Sequence, residues 1–424
     1  MTLRSFMKKP FHAAWILVMT WVGLGAQTPG PQGAPGAVHA RVASNLPIVY
    51  LDSKAPIVSE LKNPCFVRLA APAGADPGET GRLAGVVRIH GATSQMYQKK
   101  SFAITLEKPV GLLGMRETAH WVLNAAYVDR SMMRHKLSYD LFRALSGPDG
   151  KRYAASSRFV EVHRNGKYHG AYLLIERVDA GMLELQRFQT NDVSHAVIYK
   201  AINHGADFSR PDHAAYEQRE PDPLVKVYWK PLDQFNRFVS GAADGEFFHP
   251  TKGISTRLDI GNAIDFHLLL LLTSNMDGYD KNLIIARNAP TTNAPTPKFF
   301  FVPWDYDATF GRNWNALPVE TTAWLSNYLL ERLLGYPEYR HQFEGRWKQL
   351  RAREFSVKQI QRMIDDNART LGDGVRRNEV RWDTLNGQYP DQLSFQQDIA
   401  EMKEWVAARV RWLDREIARR TSGP

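Results

Sequence analysis

The chain has 424 residues, of which 44% are hydrophobic and 11% aromatic, with 11 Trp; this excludes a disordered chain, which could not bury enough surface to offset its ordering entropy. Gly and Pro number 30 and 24, far too few for a collagen-like chain, and the single cysteine, Cys65, excludes an intramolecular disulfide framework and a cysteine-based zinc site. The balance of 54 basic against 44 acidic residues gives +10, a modest excess that solvated arginine-rich helix faces explain; no aromatic RNA-binding signature or zinc finger points to nucleic acid.

The elements are predicted as follows, in chain order. Arg4, Lys8 and Lys9 precede the uncharged run Ala13 to Gly25, which is too short to span a bilayer comfortably. This order predicts a secretory signal over 1–26 rather than an uncleaved anchor, followed by a Pro/Gly/Ala linker over 27–44. No later run is long enough to cross a membrane. The expectation is an exported protein (periplasmic, cell-surface or extracellular) with no integral span after signal removal. Residues 46–90 read as β, with a strand at Val86 to Ile89. A second strand is expected at Ser101 to Leu106. A helix is expected over 129–146, capped by Asp129 or Ser131, with Met133, Leu137, Leu141 and Leu145 on one face. Arg164-Asn165-Gly166 marks a hairpin over 159–176.

Residues 201–255 are polar, with Pro211, Pro221, Pro223 and Pro231, and read as an irregular insertion. Asn262 to Ser274 is apolar nearly all round and predicts a buried helix. Two short strands follow, Leu283 to Ala286 and Phe299 to Val302, and the chain turns helical beyond about 320. Val406, Val410, Leu413 and Ile417 mark the apolar stripe of the last helix.

Two polar clusters carry the chemistry. Asp277 to Asn282 (DGYDKN) follows the buried helix, and Trp304 to Gly311 (WDYDATFG) follows a strand. Alone, each reads as a turn: a helix-end Asp, or an Asx turn after a strand. Joined by one hairpin, they can face a common point. Carboxylate and amide oxygens gathered there suit Mg²⁺ with a substrate phosphate. The spacing from Asp277 to Asn282 matches the protein-kinase catalytic loop, in which the Asp accepts the hydroxyl proton and the Asn holds magnesium.

HGATSQMYQKKSFAITL (90–106), WVLNAAYVDRSMMRHKLSYDLF (121–142), GAYLLIERVD (170–179), SNMDGYDKNLII (274–285) and VPWDYDATFG (302–311) together resemble the spore-coat CotH kinase family of atypical protein kinases, over roughly residues 45–345. The resemblance implies an α+β, atypical protein-kinase-like two-lobed fold with a helical C-terminal extension. A β-rich N-lobe is expected over 45–180, a C-lobe with the catalytic and metal motifs over 181–345, and the extension over 346–424. It implies ATP with Mg²⁺ (or Mn²⁺) and a Ser/Thr-containing protein substrate associated with a surface or coat. Asp277 corresponds to the catalytic base. Asn282 corresponds to the metal-binding Asn, and Asp305 or Asp307 to the metal-binding Asp. Lys100, with Lys99 second, corresponds to the phosphate-binding lysine. Gly91 and Ser94 would cover phosphates, and Glu176 would meet adenine or ribose at the hinge.

The chain departs from ordinary kinases: one glycine in the loop, Asn275-Met276 before Asp277, and no glutamate in the 129–146 helix, where Asp140 is the acid available to a lysine. Lys99-Lys100, taken alone, reads as a solvated pair. Lys200 reads as a strand-end charge or a nucleotide contact. Arg134 and Asp129 read as structural ion-pair members. The 13 histidines show no metal spacing, and Trp304, Trp314 and Trp324 read as core. Two other functions fit less of the chain. A glycosyltransferase using Asp305-x-Asp307 predicts a parallel Rossmann-like sheet. A non-catalytic surface or adhesion protein on a kinase-like scaffold predicts no nucleotide binding.

Overall fold

Period-two alternation in the first half of the chain builds a closed barrel. The computed structural model describes residues 44–72, 79–147, 150–190, 194–382 and 393–422. The expected signal and all of the linker but Ser44 lie outside them. The barrel strands are β1 (Ile48–Asp52), β2 (Asn63–Ala70), β3 (Leu83–His90), β4 (Ser101–Gly111), β5 (Glu117–Asn124), β6 (Ser157–Arg164) and β7 (Lys167–Glu176). They close in the order β1-β2-β3-β4-β5-β7-β6. All pairs are antiparallel except β1 with β6. Val49, Leu51, Val67, Val87, Ile104, Trp121 and Leu174 are among the residues that fill the interior. The β6–β7 turn forms where expected, with φ of +49° at Asn165 and +75° at Gly166, the two positive values a two-residue hairpin needs. β5 had no assignment from sequence; it is held between β4 and β7.

A second sheet has the order β11-β10-β8-β9. It consists of β8 (Val197–Ala201), β9 (Tyr216–Glu220), β10 (Leu283–Arg287) and β11 (Phe300–Pro303), antiparallel throughout. The parallel sheet required by the glycosyltransferase reading is absent among the described residues. The segment 201–255 is not irregular, as its prolines suggested. It contains β9, α2 (Lys230–Gly241) and α3 (Asp244–Phe247). Pro231 lies in the first turn of α2, where a missing N–H leaves no bond unmade. Leu232, Phe235 and Val239 bury one face of that helix.

The remaining helices are α1 (Arg134–Ala144), α4 (Ile260–Thr273), α5 (Tyr328–Leu334), α6 (Pro337–Arg351), α7 (Val357–Leu371), α8 (Gly374–Trp382) and α9 (Phe395–Thr421). α1 starts later than expected because residues 129–133 form a turn; the Asp129 carboxylate still accepts the Arg134 N–H at 2.8 Å. α4 is the buried centre of the helical region, with Leu268 to Leu272 fully covered. Asp259 caps its start, accepting the Asn262 N–H at 2.9 Å. Asn262 in turn pairs with the Phe301 backbone, donating to its carbonyl at 3.0 Å and accepting its N–H at 2.6 Å.

α9 packs against α4, α6 and α7 through the expected stripe Val406, Val410, Leu413 and Ile417, all fully buried. Its Arg409 donates from Nε to the Leu271 carbonyl at 2.8 Å and from Nη1 to Thr321 O at 2.7 Å, so α9 caps the end of α4 with a buried guanidinium. The result is a mixed α+β fold, a β-barrel followed by a helical C-terminal region. No described helix is long and apolar enough to cross a membrane.

Candidate functional site

α4 ends at Ser274, which takes a left-handed φ of +53° and turns the chain into the Asn275–Asn282 loop. β10 and β11 then carry it to Trp304. The two polar clusters meet at one atom, the Asp305 carbonyl oxygen. It accepts from Asn275 Nδ2 at 3.2 Å and from Asn282 Nδ2 at 3.5 Å. Asp305 itself has φ of +60°, a costly conformation for a residue with a Cβ. The two amides, together with an Asp305 N–H bond to the Tyr139 hydroxyl at 3.1 Å, hold it there. Past the carboxylates, Phe310 N–H bonds to Thr273 O at 2.8 Å, returning the loop to the end of α4.

His135, Asp305 and Asp307 each bring a ligand-type atom within 4.8 Å of the others. Burial, then the neighbouring Asp305 carboxylate, pushes the Asp307 carboxyl up to about 6. Two carboxylates at such range repel, and a divalent cation would offset both the burial and the repulsion. The donor set therefore fits a metal ion. Because Asn282 Nδ2 is committed to Asp305 O, its Oδ1 is the atom a cation would take.

His135 plays a different part from the carboxylates. The Tyr306 backbone N–H donates to its Nδ1 at 3.0 Å, and a peptide N–H cannot act as an acceptor. The Tyr139 hydroxyl also lies 3.3 Å from Nδ1. The same hydroxyl accepts the Asp305 N–H. Nδ1 therefore holds a lone pair and Nε2 holds the proton. A ligating histidine needs the reverse, a lone pair on the metal and an N–H given away. His135 Nε2, 3.8 Å from Asp305 Oδ1, is a donor facing the site; the Asn124 amide nitrogen 3.4 Å away is itself a donor, its oxygen taken by the Ala126 N–H, and makes no bond to it.

The other expected residues divide. Gly91 has φ of +106°, and a Cβ there would fall 1.9 Å from Ser94 Oγ, so the turn 91–97 requires glycine. Lys100 Nζ ties that turn down by donating to Gln95 O. Lys99 is buried beneath it and donates to Ala125 O at 2.7 Å and to Ala171 O, with Tyr172 at 4.4 Å. The solvated-pair reading fails for Lys99, which is 2% exposed. Both lysines lie just before β4, not within it. Glu176 is buried at the end of β7, where it accepts the Ser156 N–H at 2.7 Å and pairs with Arg116 at 2.7 Å. Asp277 Oδ2 lies 3.2 Å from Lys281 Nζ. Asp140 pairs with Lys136 and Arg143 of its own helix.

The profile of the CotH kinase protein family matches residues 87–413. The chain belongs to that family. It is also 27% identical over 289 residues to "Inner spore coat protein H" of Bacillus subtilis (strain 168), covering 64% of this chain and 70% of that relative.

In this family member, the matched span takes in every site residue above and most of α9. Sequence reasoning missed His135 and Tyr139. Their i, i+4 spacing on one helix face was the signal available. It also passed over a cationic cluster. Burial, then Arg177, Arg88, Lys200 and Arg219, pushes His90 down to about 3. His90 is the last residue of β3, directly before Gly91. Lys200 pairs in register with Ile284, two residues from Asn282. Glu217 answers two of these cations, Lys200 at 3.5 Å and Arg219. The turn also reaches the carboxylates: burial and the charge of Asp307 push the Tyr97 hydroxyl up, and Tyr97 stacks on Tyr127 at 5.2 Å. Trp314 is 52% exposed and is not core; Trp304 and Trp324 pack against the core as partly buried residues.

Proposed function

We propose that this protein is an exported atypical kinase with two kinase-like lobes. It would transfer the γ-phosphate of ATP, with Mg²⁺, to a Ser/Thr hydroxyl of a surface- or coat-associated protein. One observation carries the reading: Asn275 and Asn282 from one loop both bond to Asp305 of the other, with Asp307 beside it. This supports a site at one end of the β10–β11 hairpin, where Asp277 would abstract the proton and the neighbouring oxygens would hold a metal.

In this reading Asp277 takes the proton of the acceptor hydroxyl as that oxygen bonds to the γ-phosphorus. The bond from γ-phosphorus to the bridging oxygen breaks, and ADP leaves. Lys281 holds the Asp277 carboxylate in place. Asn282 Oδ1, Asp305 and Asp307 would hold Mg²⁺, which supplies charge neutralisation on the phosphates when bound. The Gly91–Ser94 turn would cover the phosphates. The cations around His90, which outnumber Glu217, add a favourable field for a polyphosphate. Lys100 would act from the root of the turn, and Glu176, held by Ser156 and Arg116, would fix the hinge backbone rather than reach the nucleotide. Support for export is the 1–26 segment and the relative's description as a spore coat protein.

Melting of the full chain with ATP and Mg²⁺ tests the site, since a ligand that binds only the folded state raises the melting temperature. The expected result is a metal-dependent rise that Asp305→Ala abolishes. Asp277→Ala should keep the rise and lose transfer from labelled ATP. Unchanged turnover in Asp277→Ala would overturn the assignment of the base.

A further inference from the structure

At the far end of the same hairpin, α2 and the 288–298 loop enclose a cleft of about 400 Å³. Phe235, Phe238 and Phe299 form its apolar wall, and Arg257 and Arg287 stand over it. The Arg257 guanidinium lies 4.1 Å from the Phe238 ring centroid, and that of Arg287 lies 5.3 Å from the Phe299 centroid. No carboxylate lines the cleft. Among the described residues, neither arginine forms an ion pair or a side-chain hydrogen bond, and the Nε of each is buried without a partner. Arginine stacked on an aromatic ring keeps its N–H groups in the guanidinium plane, clear of the ring face and able to bond an anion. Two such guanidinium forks, with no acid among the lining residues, suit an anion carried on an apolar body.

We propose that this cleft docks an acidic segment of a protein partner, with a carboxylate or phosphate on Arg257 and Arg287 and a neighbouring apolar side chain against the three phenylalanines. Charge complementarity selects the anion, and the phenyl wall selects a body rather than a free ion. The assignment of the partner as the kinase acceptor rests on the proposed function. Arg287 and Asn282 bound β10, five residues apart in the chain, which is roughly 17 Å at about 3.4 Å per residue. An extended acceptor would cover that distance with a similar number of residues, placing the acidic group about five positions from the hydroxyl.

The test uses the full chain and fluorescein-labelled peptides, without nucleotide. One peptide carries Glu beside Phe, a second phosphoserine beside Phe, and a third Gln beside Phe. Both acidic peptides should bind, and the Arg257→Gln/Arg287→Gln double variant should weaken them at least about tenfold. The ranking of the two then tells a phosphate-reading cleft from a carboxylate-reading one. Thr296→Glu, which adds a competing carboxylate at an exposed lining position, should weaken both without touching the core. It keeps the test decisive if the double variant melts early. Equal binding of the Gln peptide, or acidic binding unchanged in both variants, would overturn the proposal. As no phosphate is transferred, a failure here leaves the kinase reading standing, and loss of kinase activity leaves the docking result standing.

Discussion

Arg134 and Asp398 lie 264 positions apart and form a two-pronged ion pair, Nη1 to Oδ2 at 2.7 Å and Nη2 to Oδ1 at 2.8 Å. Both side chains are 1% exposed. Burial pushes the Asp398 carboxyl up, but Arg134 and then Arg312 more than offset it and hold it below the usual range. Arg134 Nε also donates to Thr309 O at 2.9 Å, so the pair links α9 to the loop that carries Asp305 and Asp307.

Breaking one side of this pair strands a buried charge. Asp398→Asn should destabilise the protein by about 3–5 kcal/mol, read from urea unfolding. The double variant Arg134→Met/Asp398→Leu should lose clearly less than the sum of the two single changes. A cost for Asp398→Asn below about 1 kcal/mol would show that the pair adds nothing.

The proton on His135 can be read directly. Long-range ¹H–¹⁵N spectra should show the imidazole protonated at Nε2. In Mg²⁺ titrations, Asp305→Asn should lose binding, and His135→Gln should retain it. Loss as complete in His135→Gln as in Asp305→Asn would make the ring a ligand.

The adjacent lysines should separate. Desolvation pushes the Lys99 amine well below its ordinary value, and it donates to two buried-site carbonyls, those of Ala125 and Ala171. Lys99→Met should cost about 1–3 kcal/mol through those stranded carbonyls. Lys100→Met, at the partly exposed turn, should cost less than about 0.5 kcal/mol. Equal costs in denaturant titration would contradict the different burial of the two.

Acid should act through buried neutral histidines. Burial pushes His267 down to about 4, against pulls from Glu331 and the Leu325 carbonyl and a push from Arg420. The unfolded chain then binds a proton near pH 6.5 that the folded chain refuses until about 4. Stability present above pH 6.5 is thus lost as pH falls through this window, by about 3 kcal/mol for this group. His267→Asn should flatten the fall between pH 6.5 and 4. An unchanged slope would place the acid sensitivity elsewhere.

Local pattern was legible wherever neighbours in the chain decide the conformation. Asn165-Gly166 specifies its turn by backbone freedom alone, and α4 and the α9 stripe follow from apolar period. The 201–255 segment misled because its prolines outweighed the Leu232, Phe235, Val239 spacing; its helix is fixed by packing. Lys99 was illegible for a related reason. Two adjacent lysines look alike until the barrel closes over one and gives it carbonyls from β7 and from the end of β5.

The sequence by itself determined the motif order and the elements that carry it, since the Asp277–Asn282 and Asp305–Asp307 spacings and the flanking periodicities are properties of short stretches. Only the tertiary structure decided the tautomer of His135, the engagement of Glu176 by Arg116, and the union of Arg134 with Asp398. Each depends on burial and on partners far away in the chain, where a polar group must find its bond inside the fold or go without one.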